Sequence, residues 1–303
     1  MQSIQATRDL PLVTVVTPSY NQGRFIRETI ESVLSQDYPH IEYMVLDGGS
    51  TDETTAILKS YDGRFFWISE PDRGQAHAIN KGWQRARGEI LAWLNSDDVY
   101  LPGAIRRAVD YLSRNPHFGM VYGEGHHMAV DGRVIERYPT EPFNPERLID
   151  TCYICQPATF IRRNVIEEIG FLDESLNFCM DYDLWIRISR KYALGYMPQY
   201  LAQTRFYSES KTLGQRVAVH REALRMLHRH YGFVPLTWAY GYAKALLERR
   251  VNRQGDRQKK VLRLSQMVIC CSIFLQYNYR VPLQAIRRWE RALQEYAKKQ
   301  LRS

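Results

Sequence analysis

Four stretches of this 303-residue chain carry side chains whose types and spacing could do chemistry together. Asp97 and Asp98 close the tetrapeptide Asn95-Ser96-Asp97-Asp98. Two adjacent carboxylates can bring oxygens to a Mg²⁺ or Mn²⁺ that also grips phosphate oxygens. Asp is common in turns, so the same pair also suits a solvated turn or a helix cap. Asp181 and Asp183 lie two apart at a helix start, where the helix dipole favours an anion, with Trp185 and Ile186 suited to pack beneath. Residues two apart on a helix do not face each other, so one of them faces a pocket and Asp183 suits a cap or an ion pair. Asp47 opens Asp47-Gly48-Gly49-Ser50-Thr51-Asp52, a Gly-rich turn in which Asp is favoured for local reasons too. Arg73 and Lys81 stand between these motifs, placed to offset phosphate charge, although exposed cations more often form a solvated face.

The elements that must position these residues alternate short apolar runs with helical patterns, the signature of a sheet with helices on its faces. Residues 12–18 read as a buried strand, and Phe25, Ile26, Ile30, Val33 and Leu34 recur near a helical period before the next β-rich run at 41–46. Ser50 and Glu53 have capping-box spacing ahead of a short helix, and 65–69 is a third strand closed by Pro71. A helix through 76–87 leads to a strand at 89–94 that stops at the acidic pair, and Pro102 starts another helix. In open α/β sheets ligands bind outside the carboxyl ends of the strands, so an acidic pair at that end is better placed for a site than elsewhere. Further on, 120–130 and 134–138 flank Asp131-Gly132 as a hairpin. From Gln215 the pattern is helical, with breaks at 232–235 and 252–256.

The formal charge of +8 hides an asymmetry. Residues 1–210 carry 21 Lys/Arg against 28 Asp/Glu, net −7, whereas 211–303 carry 20 against 5, net +15. Residues 1–8 are short and polar, so no export signal is expected, and the longest apolar run, around 267–275, is far below the roughly 20 residues of a spanning helix. Five cysteines with no disulfide framework suit a reducing cytosol. Cys152 and Cys155 supply two of the four ligands a zinc site needs and read as semi-buried thiols.

Taken together and in order, four motifs carry a resemblance over about two hundred residues. These are Thr17-Pro18-Ser19-Tyr20-Asn21, Asp47-Gly48-Gly49-Ser50-Thr51-Asp52, Asn95-Ser96-Asp97-Asp98 and Met180-Asp181-Tyr182-Asp183-Leu184-Trp185. Between them lie Ser69-Glu70-Pro71-Asp72-Arg73-Gly74-Gln75 and Gln156-Pro157-Ala158-Thr159-Phe160. The chain resembles a family 2 glycosyltransferase of the GT-A fold. That resemblance implies an α/β fold, with a Rossmann-like nucleotide-binding sheet flanked by helices over 1–212 and a basic helical extension over 213–303. It also implies inverting transfer of a sugar from a nucleotide diphosphate, UDP by default, to a hydroxyl of a glycan or lipid-linked acceptor, assisted by Mn²⁺ or Mg²⁺. By position it puts Pro18 and Tyr20 against the nucleoside, Asp47 on the base, Asp97 near the ribose and Asp98 on the metal, and it makes Asp181 the general base. Two departures stand out: Tyr207 occupies a late-loop position where many relatives carry His, and Met180 replaces the usual Glu.

The basic tail interleaves cations with Leu236, Trp238, Tyr240, Tyr242 and Leu246. Such helices either lie on an anionic membrane, peripheral at the inner face, or pack as a helical cap. Nucleic-acid binding is not expected, because no recognised module appears and the rest of the chain is acidic. A sugar-nucleotide-binding subunit without turnover is the rival from another class, against which the co-occurrence of Asp47, Asp97, Asp98 and Asp181 argues. A nucleotidyltransferase would need a Gly-rich, Lys/Arg-bearing loop after the first strand, which Pro18-Ser19-Tyr20-Asn21-Gln22-Gly23 is not.

Overall fold

A strand that is covered on both faces needs no alternation of apolar and polar residues. Strand β1, Val13–Ser19, is such a strand, with all seven residues buried in the computed structural model, which describes residues 10–251 and 256–279. Helix α1 (Gly23–Leu34) follows, then β2 (Ile41–Asp47), α2 (Thr54–Lys59), β3 (Phe66–Ser69), α3 (Gln75–Arg85) and β4 (Ile90–Trp93). Phe25, Ile26, Ile30 and Val33 form the buried face of α1, each burial contributing about 1.5–3 kcal/mol. These four strands run parallel in the order β3-β2-β1-β4, so the turns after them open at one edge. Close approach of β1 to the chain entering β4 requires Gly88: a Cβ there would lie 2.5 Å from the amide nitrogen of Thr14.

The second half continues the sheet with antiparallel partners. In chain order come β5 (Val99–Tyr100), α4 (Ala104–Arg114), β6 (Phe118–Met128), β7 (Val134–Arg137), α5 (Pro145–Asp150), a 3-10 turn at Gln156–Ala158, β8 (Thr159–Arg162), α6 (Arg163–Ile169), α7 (Met180–Ser189) and β9 (Ala193–Arg205). The full order is β3-β2-β1-β4-β8-β6-β9-β5, with β7 paired to β6 across the hairpin expected at Asp131-Gly132. Glu124 on β6 ties the three strands β6, β7 and β9: Arg137 reaches its two carboxylate oxygens at 2.9 and 2.7 Å, and the Tyr196 hydroxyl donates at 2.5 Å. Arg137, with burial acting against it and Tyr196 adding to it, holds the Glu124 carboxyl down at about 2.

The chain divides into two compact units. The first takes the described residues up to Phe143 together with Tyr153–Ser210; the second takes Asn144–Cys152 and the described residues from Lys211. The single boundary near 212 expected from the sequence is joined by a second crossing, since Asn144–Cys152, which includes α5, belongs to the second unit. The second unit holds α8 (Lys211–Gly214), α9 (Arg216–Tyr231), α10 (Leu236–Val251) and α11 (Asp256–Asn278) around Leu224, Val234, Ala239, Ala243, Cys270 and Ile273. The Thr237 hydroxyl donates to the carbonyl of Asp150, joining α5 to this unit. Gly232, in the left-handed conformation, caps α9 at the expected break, while part of the second break, 252–255, lies outside the described residues. Among the described residues no helix is long and apolar enough to cross a membrane.

Candidate active site

The turns after β1 and β2 are stitched together by short polar side chains. Asn21 adopts a positive φ of 52°, a conformation that Asn tolerates better than most residues. Its amide donates to the Ser50 hydroxyl (2.7 Å) and its side-chain oxygen accepts from the Thr51 amide (2.9 Å). Asp47 sits buried beneath, accepting from the Ser50 amide (2.9 Å), the Ser50 hydroxyl (2.5 Å) and the Ser69 hydroxyl (2.6 Å). Ser50 is therefore taken up by Asp47, and the capping box expected with Glu53 does not form: α2 starts at Thr54 with no side-chain cap. Pro18 is buried in β1, whereas the Tyr20 ring is 61% exposed at the mouth of these turns.

Asn95-Ser96-Asp97-Asp98 follows β4, and its two carboxylates find different partners: Asp98 the Arg205 amide and Asn95; Asp97 the Tyr207 hydroxyl. Asp98, the expected metal ligand, points into the fold and is 3% exposed. One oxygen accepts from the Arg205 amide (3.0 Å) and the other from Asn95 Nδ2 (3.1 Å), with Thr204 adding a side-chain hydrogen bond. Burial, then the charge of Asp97, drives its carboxyl far above the usual range. Asp97 is half-buried, and burial raises its carboxyl as well, against the Tyr207 hydroxyl that donates to its Oδ2 at 3.0 Å. Two desolvated carboxylates in one turn favour a neighbouring cation. No group of three or more His, Cys, Asp or Glu side chains is gathered for a metal among the described residues. A protein that offers one or two carboxylates and leaves the other positions to phosphate and water fits Mg²⁺ or Mn²⁺ bound with a diphosphate.

Two features of this turn were not assigned a role from the sequence. Arg205, at the end of β9, buries its side chain completely: Nε donates to the Asp97 carbonyl (3.0 Å), Nη1 to the carbonyls of Ala129 and Val130, and Nη2 to Glu28 on α1 (2.6 Å). Its guanidinium also lies 4.5 Å from the Phe25 ring centroid. Three amides form the second: Gln75 donates to Asn95 (2.7 Å), Asn95 to Gln156 (3.0 Å), and Gln156 to the Trp93 carbonyl (2.9 Å). Each contact joins residues distant in sequence; Gln75, Asn95 and Gln156 stand within the motif segments, but their spacing does not say that they meet.

Helix α7 brings Asp181. Its Oδ1 accepts from the Tyr182 amide (2.8 Å) in the first turn, and the residue is half-buried. Trp185, one turn on, stacks on Trp93 of β4 at 5.6 Å and 18°, and Trp83 meets Trp93 edge-on at 5.3 Å. The rings pin α7 to the strand whose end carries the acidic pair. Asp183 is 1% exposed and pairs with Arg187 at 2.8 Å, the ion-pair role its spacing allowed. Arg187 also donates to the carbonyls of Ile169, Gly170 and Phe171, closing the C-terminal end of α6. The expected phosphate cations are both in ion pairs: Arg73 with Glu174 at 2.6 Å, largely exposed, and Lys81 with Glu70, mostly buried. Of the two thiols in Cys152-Tyr153-Ile154-Cys155, Cys155 is buried and Cys152 half-buried.

Residues 14–170 match the model of glycosyl transferase family 2. TuaG of Bacillus subtilis, a glycosyltransferase named for teichuronic acid biosynthesis, is 30% identical over 257 residues, covering 80% of this chain and 98% of its own. Uncharacterized glycosyltransferases of Rickettsia species are 28–29% identical, and the matched part spans only 33–66% of their lengths. Among solved structures, Staphylococcus aureus TarS in complex with UDP-GlcNAc superposes with a TM-score of 0.60 at 17% identity, covering 90% of this chain and 82% of that one. The mannosyltransferase PcManGT of Pyrobaculum calidifontis, in complex with GDP-Man and Mn²⁺, gives 0.55 at 17% identity, covering 93% and 79%. Likeness at that identity shows a shared architecture, the GT-A fold. With the family model matching more than half of its length, the chain belongs to glycosyl transferase family 2.

Proposed function

We propose that the protein is an inverting glycosyltransferase that moves a sugar from a nucleotide diphosphate, UDP by preference, to a hydroxyl of a glycan or lipid-linked acceptor. The observation that carries this reading is the division of labour in Asn95-Ser96-Asp97-Asp98. Asp98 is spent on holding the turn, while Asp97 is left half-buried at the carboxyl edge of the parallel strands, in the same layer as the Asp47 turn. In this reading Asp97, where the sequence expectation was Asp98, is the carboxylate for Mn²⁺ or Mg²⁺: both Asp98 oxygens accept from protein donors, whereas on Asp97 the Tyr207 hydroxyl donates to Oδ2. When bound, that cation supplies charge neutralisation on the diphosphate.

The chain's own residues do the rest. Tyr20 and Pro18 border the nucleoside, and Asp47 holds the turn that receives the base. Arg73 and Lys81 add positive charge on the phosphate side, exchanging their present carboxylate partners for phosphate oxygens. Asp181 accepts the proton of the acceptor hydroxyl as that oxygen forms its bond to the anomeric carbon. The glycosidic bond to phosphate breaks with its electron pair leaving on the nucleotide, so attack from the opposite face inverts the configuration. The UDP-GlcNAc held by TarS and the glycan named for TuaG support the donor and acceptor classes. The net charge of +15 over residues 211–303 supports a peripheral position on the inner face of the membrane, where lipid-linked acceptors are held.

A thermal-shift series tests the donor half without an acceptor: UDP, UDP-GlcNAc, GDP and GDP-mannose, each with and without Mn²⁺, on wild type, Asp97→Ala and Asp98→Ala. The expected result is a Mn²⁺-dependent upward shift with one nucleotide that Asp97→Ala abolishes. Asp98→Ala lowers the melting temperature before any ligand is added. Absence of a shift with every nucleotide overturns the reading.

A further inference from the structure

Among the described residues, helix α11 of the second unit turns large apolar side chains outward as well as into that unit's core. Its inner face carries Cys270 and Ile273 into the core of that unit, and Asn278 locks the end by accepting from the Val234 amide (2.7 Å) and donating to the Val234 carbonyl (3.0 Å). On the outer face Met267, Val268 and Leu275 are 60–66% exposed, with Cys271 exposed between them and the uncharged polar Ser272 and Gln276 beside them. Val268, Cys271 and Leu275 follow steps of three and four, so they form one stripe along the helix. A surface helix normally turns charge to water. Here no Asp, Glu, Lys or Arg occurs from Leu264 to Tyr279, while Arg257, Lys259, Lys260 and Arg263 precede that stretch and Arg280 follows it.

We infer that this stripe is a membrane-docking face that lies flat in an anionic lipid leaflet. The helix of 23 residues is about 35 Å long, too rich in cations at its start to cross a bilayer and well proportioned to lie in its surface. Charge decides between lipid and a second copy of the chain. Residues 211–303 are net +15, and on α9 Arg221, Arg225 and Arg229 stand exposed at successive turns of one face. Pairing two such units through this stripe would bring like charge together, whereas an anionic leaflet gains from each cation near its surface. The inference deepens the reading of the tail given above and does not depend on the catalytic assignment.

The test is co-sedimentation of the full chain with vesicles of equal parts phosphatidylglycerol and phosphatidylcholine, against phosphatidylcholine alone. Wild type should pellet with the anionic vesicles in a salt-sensitive way. The double variant Val268→Gln/Leu275→Gln should lower the partition at least about tenfold, since it removes two large apolar side chains from the contact. Its unfolding midpoint and its nucleotide-induced thermal shift should match wild type, because both positions face outward. Vesicle binding that survives the double variant overturns the inference. So does a chain that ignores vesicles, whether light scattering finds it dimeric, with the stripe as the contact, or monomeric, with the stripe covered by its own residues. Vesicle binding with no nucleotide response would leave the docking face standing and remove the transferase reading alone.

Discussion

Exchanging Asp181 and Asp183 for Asn, one at a time, should separate catalysis from folding within a single turn of helix. Asp183 is buried against Arg187 at 2.8 Å, and removing one partner of a buried ion pair costs about 3–5 kcal/mol. Arg187 keeps its three carbonyl partners, its side chain is 22% exposed, and Asn can still accept one hydrogen bond, which together reduce the expected loss to about 2–3 kcal/mol. At roughly 2–4 °C per kcal/mol for a unit of this size, Asp183→Asn should melt about 5–10 °C below wild type. Below that temperature it should retain turnover within about tenfold, because its side chain faces the core and not the acceptor. Asp181→Asn should do the reverse. Its Oδ1 accepts from the local Tyr182 amide, a bond that Asn can keep, so the melting temperature should stay within about 2 °C. Loss of a general base should lower kcat about 10²–10⁴-fold with donor binding unchanged. Scanning calorimetry and turnover on a competent acceptor read the two effects. Asp183→Asn melting with wild type, or Asp181→Asn retaining kcat, would refute the assignment of roles.

The pairing of Glu124 with Arg137 predicts a stability that depends on acid. A carboxyl at about 2 instead of 4.5 contributes at most about 3 kcal/mol, and the half-exposed Arg137 lowers that to about 1.5 kcal/mol. Because the folded value is depressed, the contribution is whole above pH 4.5 and is lost as pH falls toward 2. Glu124→Gln should therefore lower the urea midpoint at pH 7 and converge on wild type in acid; a constant gap across that range would show that packing accounts for the loss. Gly88→Ala should destabilise by about 2 kcal/mol or more, since the added carbon would meet backbone at 2.5 Å, and a wild-type melting curve would contradict the close approach of β1.

Much of this architecture was legible in one dimension because it depends on short-range chemistry. The strands at 12–18 and 41–46 are continuous apolar runs because parallel strands are covered on both faces, and α1 showed itself through the period of Phe25, Ile26, Ile30 and Val33. The hairpin around Asp131-Gly132 and the break at Gly232 follow from what glycine alone does easily with its backbone. The four motifs brought the family. What the order of residues did not disclose was the direction of each side chain and the partners reached across long loops. Asp97 and Asp98 are equivalent on the line, yet the turn after β4 brings one to the Tyr207 hydroxyl and the other to the amide of Arg205, 107 residues away. Ser50 and Glu53 have the spacing of a cap, but Asp47 competes for the serine and takes it. Arg205 reads as one cation among 41 Lys and Arg, and only the packing of α1, the acidic turn and the β6–β7 hairpin around it makes it the buried charge on which they converge. Local propensity is a property of neighbours in sequence, whereas burial and hydrogen-bond partnership belong to neighbours in space, and those exist only once the sheet has closed.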